Sequence, residues 1–331
     1  MMKRRDFMKN AALAMGGLTL ASTMADASGM GAACTLGSRN IEPGKGEKAP
    51  KGAVTYYTEF KIWIPEREKM VAHMEELGKK LRKKRGFLSL SLKNMVGDST
   101  MVHNYPTNLK AVLRTAYLDA AKENSLPLYY SLFVRFKNYH DLMRSGVIKD
   151  FERLMREFGD LSENYSEGVY VTVSAGDRER IYLRPREIEE FLSHQVDDPI
   201  SDLVTVNNHV AILKKDREIF NKKSTALLKV AQETFRPAKG DYDYNPKFPY
   251  GMPGSYQNRH YRRAVTTEIL QSAFAPDGKY HYLFHGTWES VFDHENSHID
   301  PRFRHHVLAI LPYIVEGPIE PFYKTTILLN G

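Results

Sequence analysis

Two hydrophobic periods take turns along the chain. Residues 53–62, AVTYYTEFKI, alternate as a strand does, and residues 65–84, PEREKMVAHMEELGKKLRKK, carry apolar side chains at helical spacing behind Pro65. RGFLSLSLKNM and LPLYYSLFVRF read as two further strands, NYHDLMRSGVIKDFERLMREFGDLSE as a helix, and GVYVTVS as a fourth strand. The second half repeats the plan. DLVTVNNHVAIL is a strand, DREIFNKKSTALLKVAQETF a helix, RRAVTTEILQSAF and KYHYLFHGTW two strands, then a helical region runs to Ile314 before the strand EPFYKTTILL. Each half therefore spells β-α-β-β-α-β, the ferredoxin-like order. The expectation is an α+β protein of two tandem ferredoxin-like repeats, residues 51–185 and 186–331, packed as a dimeric-α/β-barrel-type barrel.

Composition bounds the class. The 331 residues are 42% hydrophobic and 26% charged, ordinary values for a globular protein with room for one large or two smaller domains. The net charge of +7 comes from basic residues mixed with acids, as in REKMVAHMEELGKKLRKKR, so they read as solvated helix faces and no nucleic-acid partner is expected. Cys34 is the one cysteine in the sequence, which excludes an intrachain disulfide and a thiolate metal cage.

The N-terminus adds a destination. Residues 1–27 contain Arg4-Arg5, Phe7 and a short apolar run ending at Ala25-Asp26-Ala27. This pattern resembles a twin-arginine (Tat) signal peptide with an A-x-A cleavage site, implying the Tat translocase as a partner and an exported or periplasmic protein. Its removal would lower the formal charge from +7 to +5, because Lys3, Arg4, Arg5 and Lys9 stand there against Asp6 and Asp26. Residues 28–50, rich in Gly, Ser and Pro, read as a linker, and Cys34 within it offers a weak lipidation signal.

The candidate chemistry sits near the other end, in WESVFDHENSH, Trp288 to His298. His294-Glu295-Asn296-Ser297-His298 spells H-E-x-x-H, which on a helix brings two imidazoles to one face, one turn apart. A zinc protease would keep that motif inside one continuous helix, with Glu295 as the base acting on water. Asp300-Pro301 argues for a new helix instead, since Asp is a good N-cap and Pro belongs in a first turn. His281, His285, His305 and His306 lie nearby in sequence, and surface or helix-face positions are expected for most of them. Glu268 and His209 fall on strands that could face a cavity. Tyr242, Tyr244, Phe248, Tyr250 and Tyr256 occupy a Gly/Pro-rich insertion that suits either a lid or plain packing.

Trp288, Asp293, His294, Glu295 and His298, followed by Gly317-Pro318-Ile319-Glu320-Pro321, resemble the antibiotic-biosynthesis-monooxygenase superfamily. Within it, the W-x4-D-H-E-x2-H and G-P-x-E-P stretches are most similar to sulfur oxygenase reductases, over roughly residues 280–328. The resemblance implies a mononuclear non-haem iron held by His294, His298 and Glu320. It also implies oxygen-dependent oxidation of reduced sulfur species, and a homo-oligomer. Two imidazoles and a carboxylate form a facial triad with open positions, and Asp293 or Glu295 could orient a ligand histidine, Glu295 being the candidate catalytic residue. The chain departs from the family at Val307 and Ile310, where a C-x-x-C is usual, and in carrying the iron motif in its second half. A cofactor-free or haem-binding barrel of the same superfamily is the alternative, and a zinc metalloprotease a more distant one.

Overall fold

A computed structural model describes residues 40–98, 128–158, 167–180, 182–233, 264–298 and 301–331. The signal-like residues 1–27, Cys34, Asp300 and the aromatic insertion at 241–261 lie outside the described residues. Among the described residues, no helix is long and apolar enough to cross a membrane.

Among the described residues the alternating segments form nine strands, and the periodic ones seven helices. In the first half β1 (Val54–Ile62), α1 (Arg67–Leu81), β2 (Phe87–Asp98), β3 (Leu128–Phe136), α2 (Tyr139–Ser145), α3 (Val147–Glu157) and β4 (Glu167–Asp177) follow in order. The connecting α4 (Pro185–Ser193) leads into β5 (Val204–Leu213), α5 (Arg217–Glu233), β6 (Thr266–Ser272) and β7 (Lys279–Trp288). Then come α6 (Val291–Ser297), α7 (Pro301–Ile310), β8 (Ile314–Ile319) and β9 (Pro321–Asn330).

All nine strands belong to one antiparallel sheet, ordered β7-β6-β4-β1-β3-β2-β9-β5-β8, in which β7 also pairs with β5. The β5–β7 ladder is long, Val204 opposite Trp288 through Leu213 opposite Lys279. These pairings return the ladder on itself, leaving only β8 outside the ring. A closed ring has no free edges to template aggregation.

The two faces differ in chemistry. On β1 and β3 the helix-side residues Val54, Tyr56, Phe60, Leu132, Val134 and Phe136 join Met70, Met74, Leu77 and Leu81 of α1 and Phe151 of α3 in one apolar core. The second half builds its own core from Val210, Ile212, Ile269 and Tyr282 against Phe220, Leu227 and Leu228 of α5. The opposite strand faces turn Glu59, Lys93, Arg135, Asn207, His209, Glu268 and His285 into the interior, every one of them buried. Alternation in sequence thus separates apolar from polar burial, with no wet face on these strands.

Four expectations are corrected. The long helix predicted over residues 138–163 breaks at Gly146, whose φ of +79° ends α2 and starts α3. The helical region running to Ile314 is instead α6, α7 and a 3-10 turn, and Ile314 itself begins β8, a strand absent from the sequence reading. The linker reading of residues 28–50 fails for 40–50. Asn40 bridges Gly168, Ile41 is buried in the first core, and Glu47 receives a hydrogen bond from Lys214. Finally, α4 occupies residues 185–193, to which the sequence pattern assigns no element.

Candidate metal centre

The motif's local structure follows from its caps. Ser290 precedes α6, its hydroxyl accepting a hydrogen bond from the Asp293 backbone N–H (3.1 Å) and donating one to the Asp293 carboxylate (2.6 Å). Asp293 is thereby engaged at the helix start. His294 Nδ1 is buried without a hydrogen-bond partner among the described residues, so Asp293 does not orient that nitrogen. α6 stops at Ser297 and α7 starts at Pro301, as the Pro position predicted. The side chain of Glu295, the candidate catalytic residue, lies outside the described residues.

Glu320 arrives from the other direction, in the single residue between β8 and β9. Its position depends on β8 lying close against β5. Gly317, at φ +86°, brings its Cα so near β5 that an added Cβ would stand 2.3 Å from the His209 carbonyl oxygen. Gly317→Ala is therefore expected to push β8 off β5 and displace Glu320. The checkable result is a loss of metal affinity together with a lower Tm; a variant with both unchanged would contradict this placement.

The three predicted ligands meet. His294 Nε2 lies 3.3 Å and His298 Nε2 3.9 Å from Glu320 Oε1. One donor atom from each residue lies within 4.8 Å of the other two. Donors bound to one ion at about 2.0–2.2 Å sit roughly 3–3.5 Å apart, so the set fits a metal with small side-chain adjustments. His294 and Glu320 are buried and His298 is partly so. Burial alone would raise the Glu320 carboxyl. The charge and hydrogen bond of His294, with His298 and the Asn208 amide, outweigh it and hold the pKa at about 2. Glu320 is thus an anion at any ordinary pH.

Aromatic rings wall the cluster. Trp288 and Phe322 each stand 5.2 Å from the His294 ring, edge to face, and Phe303 stacks on His298 at 5.2 Å. Asn208 donates from Nδ2 to Glu320 Oε1 at 2.9 Å. The sequence reading missed Asn208, Phe303 and Phe322. A polar Asn-Asn-His run inside the otherwise apolar VTVNNHVAIL was the available signal.

The other histidines go elsewhere. His305 is exposed on α7 and His306 half-buried, as expected of a helix face. His281 and His285 are both buried on β7. Burial, with Lys93 and Arg135 nearby, pushes His285 well below the usual imidazole value, and its Nδ1 lies 2.9 Å from Asn207 Oδ1. His209 and Glu268 do face the interior, but as parts of a bonded network. His209 Nε2 sits 3.1 Å from Glu59, which also receives hydrogen bonds from Tyr57 and Tyr323. Arg135 donates to Glu268 at 2.7 Å, and Lys93 pairs with Asp197. His209–Glu59 and Arg135–Glu268 join first-half strands to second-half strands.

With this geometry in place, the comparisons with known proteins locate the fold. Residues 53–141 match the ABM-like domain. That domain is of the antibiotic-biosynthesis-monooxygenase type, and the match runs from β1 into α2. Residues 173–326, which hold all three candidate ligands, match the CT0912-like, C-terminal domain. No curated protein matches the sequence. Among solved structures, a provisionally named monooxygenase of Fusobacterium nucleatum is 9% identical, with a TM-score of 0.48 over 85% of this chain and 95% of its own. A second such protein, from Lactobacillus acidophilus, is 9% identical at a TM-score of 0.47, covering 85% of this chain and 100% of its own. An anthrone oxidase-like protein is 12% identical at 0.48, over 85% of this chain and 94% of its own.

Proposed function

We propose that the chain is a mononuclear non-haem iron enzyme catalysing an oxygen-dependent oxidation. In this reading it is built from two ferredoxin-like repeats closed into one barrel, with the metal on the second. One observation carries the reading: His294, His298 and Glu320 converge in a largely buried, aromatic-walled place on a chain whose residues 53–141 match an ABM-like domain. An iron held there supplies open coordination positions and one-electron chemistry toward dioxygen. The residues do the rest. Glu320 contributes the negative charge, Asn208 fixes its orientation, and Trp288, Phe322 and Phe303 keep bulk water away from the imidazoles. The end of α6 at Ser297 favours this over a zinc protease, whose motif needs a continuing helix.

The substrate class proposed is a reduced sulfur species, on the resemblance of the two ligand-bearing stretches, with dioxygen as co-substrate. Without a cysteine at Val307 or Ile310, the substrate would be held non-covalently. Export through the Tat route is part of the same proposal and rests on residues 1–27. Iron-loaded protein given polysulfide in an oxygen electrode is expected to consume oxygen, and Glu320→Gln to abolish the uptake. No uptake in the iron-loaded wild type would overturn the sulfur assignment.

A further inference from the structure

Asn208 carries more than its bond to Glu320 requires. β5 presents Asn207 and His209 to the interior, where both are bonded, and Asn208 to the opposite face, toward the ligand cluster. The carboxamide is oriented by that bond: Nδ2 donates to Glu320 Oε1, so Oδ1 of the same group points elsewhere. That oxygen is buried and has no donor among the described residues. A buried acceptor without a partner is costly to keep, and such atoms call for an explanation such as an unseen ligand. It is also near the cluster. Nδ2 is 2.9 Å from Glu320 Oε1, and the C=O and C–N bonds of one amide place Oδ1 no more than about 5.5 Å from that oxygen.

We propose that Asn208 is a positioning residue for ligand as well as for Glu320. Its Oδ1 accepts a hydrogen bond from a small protic molecule occupying the position that the three ligands leave open. The class is set by the acceptor: a molecule that brings its own N–H or O–H, such as water, a hydroperoxide or hydroxylamine, is favoured over an aprotic anion. Other acceptors are scarce. The orphaned His294 Nδ1 and Trp288 Nε1 are buried on this side of the sheet, but Trp288 Nε1 can only donate. Asn208 thus supplies an acceptor, and with it discrimination by protonation.

This inference rests on the metal reading above, and the test separates the two. The full chain is loaded with cobalt(II), whose visible absorption reports occupancy and ligand exchange, and is titrated with hydroxylamine and with azide. Wild type is expected to bind cobalt and both probes. Asn208→Leu loses its bond to Glu320 and is expected to bind cobalt about 10–100-fold more weakly, so it is compared at saturating cobalt. There it should lose about tenfold in hydroxylamine affinity, the usual scale for one hydrogen bond to a bound ligand, with azide unchanged or tighter. Asn208→Ala gives the same readout if the leucine variant does not fold. Equal hydroxylamine affinity in variant and wild type, or parallel loss of both probes, overturns the role of Asn208 while the metal site stands. No cobalt uptake by the wild type overturns both.

Discussion

Glu268→Ala is expected to destabilise the protein by roughly 3–5 kcal/mol, the cost of stranding one member of a buried ion pair. Arg135 is 1% exposed, and its Nη2 donates to Glu268 at 2.7 Å. Its Nη1 already has no partner among the described residues. Removing Glu268 therefore leaves a guanidinium in the interior with no anion on it, and leaves the Thr172 hydroxyl, which also donates to Glu268, unpaired. Chemical denaturation of wild type and variant measures the loss. Arg135→Met combined with Glu268→Leu should recover most of it, because the pair is then replaced by apolar volume without a charge to strand. A single-variant loss under about 1 kcal/mol would show that the interior is wetter than the burial implies.

The second large effect concerns the metal. Glu320→Gln is expected to weaken metal binding more than about a hundredfold, since residues that merely orient a ligand already cost about 10–100-fold. The substitution keeps the shape and the bond partner of Asn208 but removes the negative charge that faces His294 and His298. Its natural control is His305→Ala, an exposed helix residue seven positions beyond His298, which should leave affinity unchanged. Competition with a chromophoric chelator reads both. Similar losses in the two variants would mean that histidine-rich surface, and not the triad, holds the ion.

Much of this architecture is written in local periods. The strands AVTYYTEFKI and KYHYLFHGTW appear within a residue or two of their predicted ends, because alternation and helical spacing are local properties that tertiary packing here reinforces. Two kinds of feature escape that logic. Gly146 splits a continuous helical pattern because one left-handed residue ends α2 and starts α3 without changing the apolar spacing around it. β8 is short and carries Gly317 and Pro318, which read as a turn, and it becomes a strand only because β5 offers it a partner.

The candidate site was legible in part for a similar reason. His294 and His298 are close in sequence, so helix geometry alone pairs them. Glu320 was reached through the resemblance of its Gly-Pro-Ile-Glu-Pro context, since no local rule brings residue 320 to residue 294. Asn208 and the wall of Phe303 and Phe322 come from three separate elements and exist as a group only once the sheet has formed. The interior network shows the same limit. Glu59, Lys93 and Arg135 each look like a solvent-facing polar residue of an alternating strand, and only the β5–β7 pairing that closes the ring buries them.

The central claim is that His294, His298 and Glu320 bind one iron. Elemental analysis of the purified full chain, expressed with iron supplied, tests it most directly when wild type and His294→Ala are compared side by side. The claim predicts close to one iron per wild-type chain and almost none in the variant, with both proteins folded by circular dichroism. Wild-type protein without stoichiometric iron, or iron retained equally by His294→Ala, would contradict it.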